Sequence, residues 1–213
     1  MNPRSMINLQ QTTASENSCE DPTITRRKAL QTAEMGDLQT SIKILSELIR
    51  KNPLSATDYN NRGLMYARSG ELDKAIADYN RAILLNPNLA GAYNNRANYY
   101  ATLGDLMGAI ANYDIAIDLN PANIRAWINR GIAFRDIGIY ELALDNFDFA
   151  LLLGGLKAKI WAERGRTYHL LGDWNYAVAD YRRALEQLRN ESDSRLESRV
   201  ESWLNELMPP MTA

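Results

Sequence analysis

Cysteine and histidine are nearly absent: Cys19 and His169 are the single representatives of each in 213 residues. One thiol cannot found an intramolecular disulfide framework, and a reducing compartment suits it. The two residues stand far apart in the chain, so they supply neither an ordinary zinc-ligand cluster nor a persuasive Cys-His nucleophile pair. No charge sign dominates, because 24 Lys and Arg face 26 Asp and Glu, for a net charge of −2. That balance argues against wholesale nucleic-acid binding. Apolar runs are short. The first twenty residues hold none that would serve as a signal-peptide core, and no later segment approaches the roughly 18 apolar residues of a membrane span. The sequence therefore predicts a cytoplasmic protein without membrane insertion. Phosphate loops are missing too, since neither GxxxxGK[ST] nor GxGxxG after a strand occurs. No catalytic group, metal or cofactor is expected.

What the chain has is a period. Asn-Pro recurs at Asn52-Pro53, Asn86-Pro87 and Asn120-Pro121, and glycine at Gly36, Gly70, Gly104, Gly138 and Gly172, always 34 residues apart. A period of this length changes the meaning of every residue inside it. With the proline at place 32, the units run 22–55, 56–89, 90–123, 124–157 and 158–191. Place 4 holds Tyr59, Tyr93, Trp127 and Trp161, and place 8 holds Gly63, Ala97, Gly131 and Gly165. Place 11 holds Tyr66, Tyr100, Phe134 and Tyr168. Farther on come Ala75, Ala109, Ala143 and Ala177, then Tyr79, Tyr113, Phe147 and Tyr181, then Ala82, Ala116, Ala150 and Ala184.

Places 4, 7, 8 and 11 share one face of a 3.6-period helix, as do 17, 20, 21, 24, 27 and 28. Each unit thus reads as two amphipathic helices, a glycine turn between them and a proline stop after the second. Small residues at places 8, 20 and 27 let backbones approach, with aromatics filling the space around them. The pattern resembles the tetratricopeptide repeat, over about residues 22–191. The resemblance implies an all-α, right-handed solenoid of five helix-turn-helix repeats and a binding scaffold in place of an enzyme. The first unit is degenerate, with Thr25, Thr32 and Leu45 at aromatic places. The fourth ends in Gly154-Gly155 where others have Asn-Pro, which is expected to loosen that junction. Residues 1–21 read as a disordered polar tail. Leu196, Val200, Trp203, Leu204 and Leu207 follow helical spacing, so 192–208 is expected to be a capping helix, with a short tail at 209–213 after it.

The seventh place carries Arg62, Arg96, Arg130 and Arg164 where the family more commonly has leucine. Asp78, Asn112, Asn146 and Asp180 at place 23 are their expected partners, which makes the arginines structural.

In the family the first helix of each repeat lines the concave groove, and places 2, 5, 6, 9, 12 and 13 commonly reach a ligand. Those places yield Asn60, Asn61, Asn94, Asn95, Asn98 and Asn129, a ladder of amides able to hold an extended peptide by its backbone. The alternative is that asparagine at place 6 merely belongs to the wording of these repeats. The carboxylate clamp of co-chaperone relatives is matched only in part, by Asn98, Asn129 and Lys159. Asn94 replaces its first lysine, and Glu163 replaces an arginine and is expected to repel a carboxylate. Basic side chains, Arg125, Arg135, Lys159 and Arg166 among them, outnumber acidic ones at groove places, and His169 is expected to add charge below about pH 6.5. An acidic peptide is the expected partner. The other reading is a self-associating scaffold or an assembly factor for a large complex, since the NNRG and DY wording resembles repeat proteins of cyanobacteria and chloroplasts.

Overall fold

The computed structural model describes residues 21–189 and 193–207, all of whose regular structure is helical. The chain runs as α1 (Pro22–Glu34), α2 (Leu38–Lys51), α3 (Ala56–Arg68), α4 (Leu72–Leu85), α5 (Ala90–Thr102) and α6 (Leu106–Leu119). It continues as α7 (Ile124–Asp136), α8 (Tyr140–Leu153), α9 (Lys157–Leu171), α10 (Trp174–Leu188) and α11 (Ser194–Leu207). Residues 1–20, with Cys19, and residues 208–213 lie outside the described part. Asp21, counted with the polar tail from sequence, instead caps α1 by accepting the Thr23 N–H at 2.8 Å.

Local chemistry fixes where each helix stops. Gly104 sits at φ +80, a conformation that costs a residue with a Cβ more than it costs glycine. Behind it the Asp105 N–H returns to the Tyr100 carbonyl at 3.0 Å, closing a Schellman motif. Asp105 then begins α6, its carboxylate accepting the Gly108 N–H at 2.9 Å. One dipeptide thus ends one helix and starts the next. At Asn-Pro the asparagine is extended, as a residue before proline must be, with Asn120 at φ −147 and ψ 85. Its side chain accepts the Ala122 N–H at 3.2 Å, and Asn52 and Asn86 do the same two residues on.

Consecutive helices pair, and each second helix also packs on the following first helix. First helices of successive units touch one another, α3 with α5, α5 with α7 and α7 with α9, whereas second helices make no such contact among the described residues. The stack therefore curves with first helices on its inner, concave side. Within a pair the backbones close on glycine: a Cβ added at Gly63, Gly131 or Gly165 would stand 2.7 to 2.9 Å from the rings of Tyr79, Phe147 and Tyr181. Ala75, Ala109, Ala143 and Ala177 are sealed from solvent beside them.

The junction after α8 is not loosened. Gly154, Gly155 and Leu156 all take positive φ, a different turn from Asn-Pro, yet Ile160 beyond it is buried in one cluster with Ile128, Phe147 and Ala150. At the far end α11 covers the fifth pair, with Val200 buried among Ala162, Tyr181 and Ala184 and flanked by Trp203, Leu204 and Leu207.

Ala116 is fully buried where α6 meets α7, clustered with Ala126 and Ile117. Ala116→Leu forces extra carbons into that contact and is expected to cost about 1 to 3 kcal/mol, read as a lower denaturation midpoint with unchanged m-value.

Candidate peptide-binding groove

The seventh-place arginines do not enter the groove. Arg62 lies on Asp78 at 2.8 Å, Arg96 on Asn112 at 2.8 Å, Arg130 on Asn146 at 2.8 Å and Arg164 on Asp180 at 2.7 Å. Each also reaches backwards to the preceding unit: Arg62 to Ser46, Arg96 to Asn80, Arg130 to Asp114 and Arg164 to Asp148. This second bond was not read from sequence. One guanidinium therefore joins two second helices across the first helix between them, and its planar fork is what makes the double reach feasible. Burial disfavours the Arg164 cation, but Asp180 and Asp148 outweigh it and raise its pKa. Arg130 also lies over the Trp127 ring, 4.7 Å from its centroid.

Arg164→Ala leaves the buried Asp180 carboxylate with only the exposed Arg183 beside it, at 2.8 Å. A loss of about 3 kcal/mol is expected. Removing Asp180 as well should recover part of that loss in a double-mutant cycle of denaturant unfolding.

The amides do come together. Asn95 Nδ2 donates to Asn60 Oδ1 at 2.9 Å between α5 and α3, and Asn129 Nδ2 donates to Asn98 Oδ1 at 3.0 Å between α7 and α5. The Tyr113 hydroxyl donates to the same Asn98 oxygen at 2.6 Å. Asn60 leans on its neighbour Asn61 at 3.3 Å, and Asn94 on Asn95 at 3.4 Å. All six amides are half-buried. Asn98, Asn129 and Tyr113 line an open cleft of about 310 Å³, together with Thr102, Ile132 and Asp136. Having given its oxygen to two donors, Asn98 keeps both amide hydrogens for something else, and Asn129 keeps its oxygen.

The basic residues divide. Arg135 lies between Asp136 at 3.0 Å and Glu163 at 2.6 Å. Arg199 of α11 holds the other Glu163 oxygen at 2.6 Å. Glu163 is only 5% exposed, and its charge is compensated from both sides, so the repulsion expected of it does not follow. Arg166 pairs with Glu206 at 2.8 Å, and Arg26 with the buried Asp58 at 2.6 Å. Counting groove places missed Asp58, which stands at place 3, and Glu206, which comes from the terminal helix. Arg125 and Lys159 stand outside the ion pairs of the described residues. Lys159 instead lines a cleft of about 390 Å³ with Arg195 and Arg199, two α11 residues that sequence reasoning assigned only to a cap. No signal in the period could have flagged them, because α11 lies beyond it.

His169 behaves differently from the sequence expectation. Its Nδ1 accepts from Arg166 at 3.1 Å and stands 3.2 Å from the Tyr181 hydroxyl, which puts the proton of the neutral ring on Nε2. Burial first, then the Arg166 charge, lowers its pKa from the ordinary 6.5. The folded chain thus binds this proton less readily than the unfolded chain, and stability falls as pH drops through about 6.5 and below. His169→Gln is expected to flatten that part of a stability-against-pH curve measured by thermal melting.

Stacked helix pairs enclosing an inner groove define a helical repeat protein. Models of the tetratricopeptide repeat match residues 56–89 and 78–111, and another repeat model of that kind matches 97–138. These matches, over residues 56–138, and the fold support a protein of the tetratricopeptide-repeat family, whose members are typically non-enzymatic interaction scaffolds. TTC0263, a thermophilic repeat protein of Thermus thermophilus, shares the fold with a TM-score of 0.74 at 20% identity, covering 86% of this chain and 99% of that one. PilW, a widely conserved type IV pilus biogenesis factor, does so with a TM-score of 0.72 at 17% identity, over 89% and 94%. MamA of Desulfovibrio magneticus gives 0.67 at 18% identity, over 81% and 97%. At such identities the likeness concerns the fold alone. No curated protein sequence matches the chain. Among the described residues no helix is long and apolar enough to cross a membrane.

Proposed function

We propose that the protein is an interaction scaffold that captures an extended peptide segment in its concave groove. The observation that carries this reading is the pair of amide bonds running from helix to helix, Asn95 to Asn60 and Asn129 to Asn98, beside an open cleft. An amide held by its neighbour loses little rotamer freedom when a ligand arrives, so its remaining donors and acceptors act as a preorganised surface. Backbone groups of an extended chain offer the matching donors and acceptors whatever the sequence, which suits Asn60, Asn61, Asn94, Asn95, Asn98 and Asn129 to capture of main chain.

Sequence preference then comes from charge. With Arg26, Arg135, Arg166 and Arg199 occupied by internal carboxylates, the basic character of the groove concentrates at Arg125, Lys159 and the α11 residue Arg195, with Asp193 beside the last two. Acidic side chains near one end of the bound segment are what this arrangement favours.

A labelled, extended peptide rich in Asp and Glu, and a neutral peptide of the same length, distinguish the two contributions by fluorescence anisotropy. Asn61→Ala, Asn95→Ala and Asn129→Ala together should weaken both peptides about tenfold or more with helix content intact, whereas Arg125→Glu with Lys159→Glu should weaken only the acidic one. Binding of the acidic peptide should also fall as salt rises. Affinity that survives the asparagine changes returns those amides to a purely structural role.

A further inference from the structure

Places that recur every 34 residues act as internal controls for exposed side chains. Place 26, on the second helix, lies beside the aromatic ring of place 4. In the second unit Arg81 stands there, its guanidinium 5.9 Å from the centroid of Tyr59, and in the fifth unit the residue is Arg183. The third and fourth units have Ile115 and Phe149. Phe149 stacks on Trp127 at 5.0 Å and still leaves 52% of its surface in solvent. An arginine covers such a ring with its stem while keeping its head hydrated, so covering place 4 does not require an exposed phenylalanine.

The exposure continues along α8, where Leu142, Phe149 and Leu152 form one stripe, and Leu152 is 82% exposed. Between α7 and α8, Trp127, Phe134, Leu142 and Phe149 line a cleft of about 320 Å³ that also contains Arg130 and the exposed Asp145. On α6, Ile115 and Leu119 are exposed as well. Exposed apolar side chains grouped around one cleft, as at Leu142 and Phe149, are the usual mark of an interaction site, unlike apolar residues scattered singly.

Charge indicates what would cover it. Neither α6 nor α8 contains a lysine or arginine, and together they carry Asp114, Asp118, Glu141, Asp145 and Asp148. Arg130 and Arg164 hold Asp114 and Asp148, whereas Asp118, Glu141 and Asp145 face solvent. By contrast α2, at the same place in the first unit, carries Lys43, Arg50 and Lys51.

We propose that the convex face of α6 and α8 is a second docking surface, separate from the groove, for an amphipathic helix with a lysine- and arginine-rich flank. Apolar residues one turn apart on that helix seat in the cleft and along the Phe149 and Leu152 stripe. Its basic flank reaches Asp118, Glu141 and Asp145, and a partner of reversed charge is repelled. The residues lining this cleft are different from those of the groove cleft, which leaves each surface to a separate partner.

Three designed peptides of about five helical turns each provide the probe: one with an apolar stripe and lysine flanks, one with glutamate in place of lysine, and one scrambled. Titration calorimetry should show the lysine peptide binding about tenfold or more tightly than either of the others. Phe149→Arg with Leu142→Lys, whose arginine and lysine match Arg81 and Lys74 at the same places of the second unit, should lower that affinity about tenfold or more with circular dichroism unchanged. The asparagine variant of the groove should bind the peptide as well as the original chain does, which separates a failure here from a failure of the groove reading. Equal binding of all three peptides, or full binding by the Phe149→Arg/Leu142→Lys variant, overturns the proposal. So does a concentration-dependent dimer in sedimentation that Phe149→Arg abolishes, because the occupant is then a second copy of this chain.

Discussion

Everything in this molecule depends on how closely the two helices of a unit approach. Gly63, Gly131 and Gly165 each face a ring whose atoms stand under 3 Å from where a Cβ would be, and Ala75, Ala143 and Ala177 are fully buried beside them. Dispersion and apolar burial are largest where a flat ring meets bare backbone, so these contacts set the spacing of each pair. Ala97 takes the glycine place in the third unit and remains fully buried against Tyr113.

Once the pairs are spaced, polar chemistry ties them into a stack. Each seventh-place arginine spans three helices: the one it grows from, its partner, and the second helix of the unit before. A leucine there would fill volume but could not answer Asp78, Asn112, Asn146 and Asp180, all of which are buried. A buried carboxylate without a counterion is costly, so arginine and acid stay only as a set. The same logic governs the C-terminal end, where Glu163 is held by Arg135 from one side and Arg199 from the other. Those ion pairs fasten α11 and, in doing so, remove Arg135 from the surface offered to a ligand.

Two faces remain. The inner one is polar, lined by amides that bond to each other and still have donors and acceptors to spare. The outer one, at α6 and α8, is apolar and acidic, whereas α4 and α10 of the flanking units carry both signs of charge. A repeat architecture allows this division because the packing places, which fix the fold, are different from those that face water. Surface residues can then vary from unit to unit without disturbing the stack.

The sequence by itself determined the helix pairs, their turns and most of the buried contacts, because each follows from places within one unit: Gly104 for the turn, Asn120-Pro121 for the stop, Gly131 against Phe147 for the close approach. It also determined the first partner of each place-7 arginine, sixteen residues along the same unit. What it could not reach were contacts between units, such as Arg164 with Asp148 or Arg26 with Asp58, since these depend on the rotation of one pair against the next, and a period does not encode that angle. The terminal helix is the extreme case. Its amphipathic spacing identified Val200 and Trp203 as the buried side, but α11 belongs to no unit, so only its packing on α9 and α10 decided that Arg199 would meet Glu163 and that Glu206 would meet Arg166. Burial and the neighbouring Arg166 of its own helix lower the pKa of His169, against the opposing pull of Glu206 from α11.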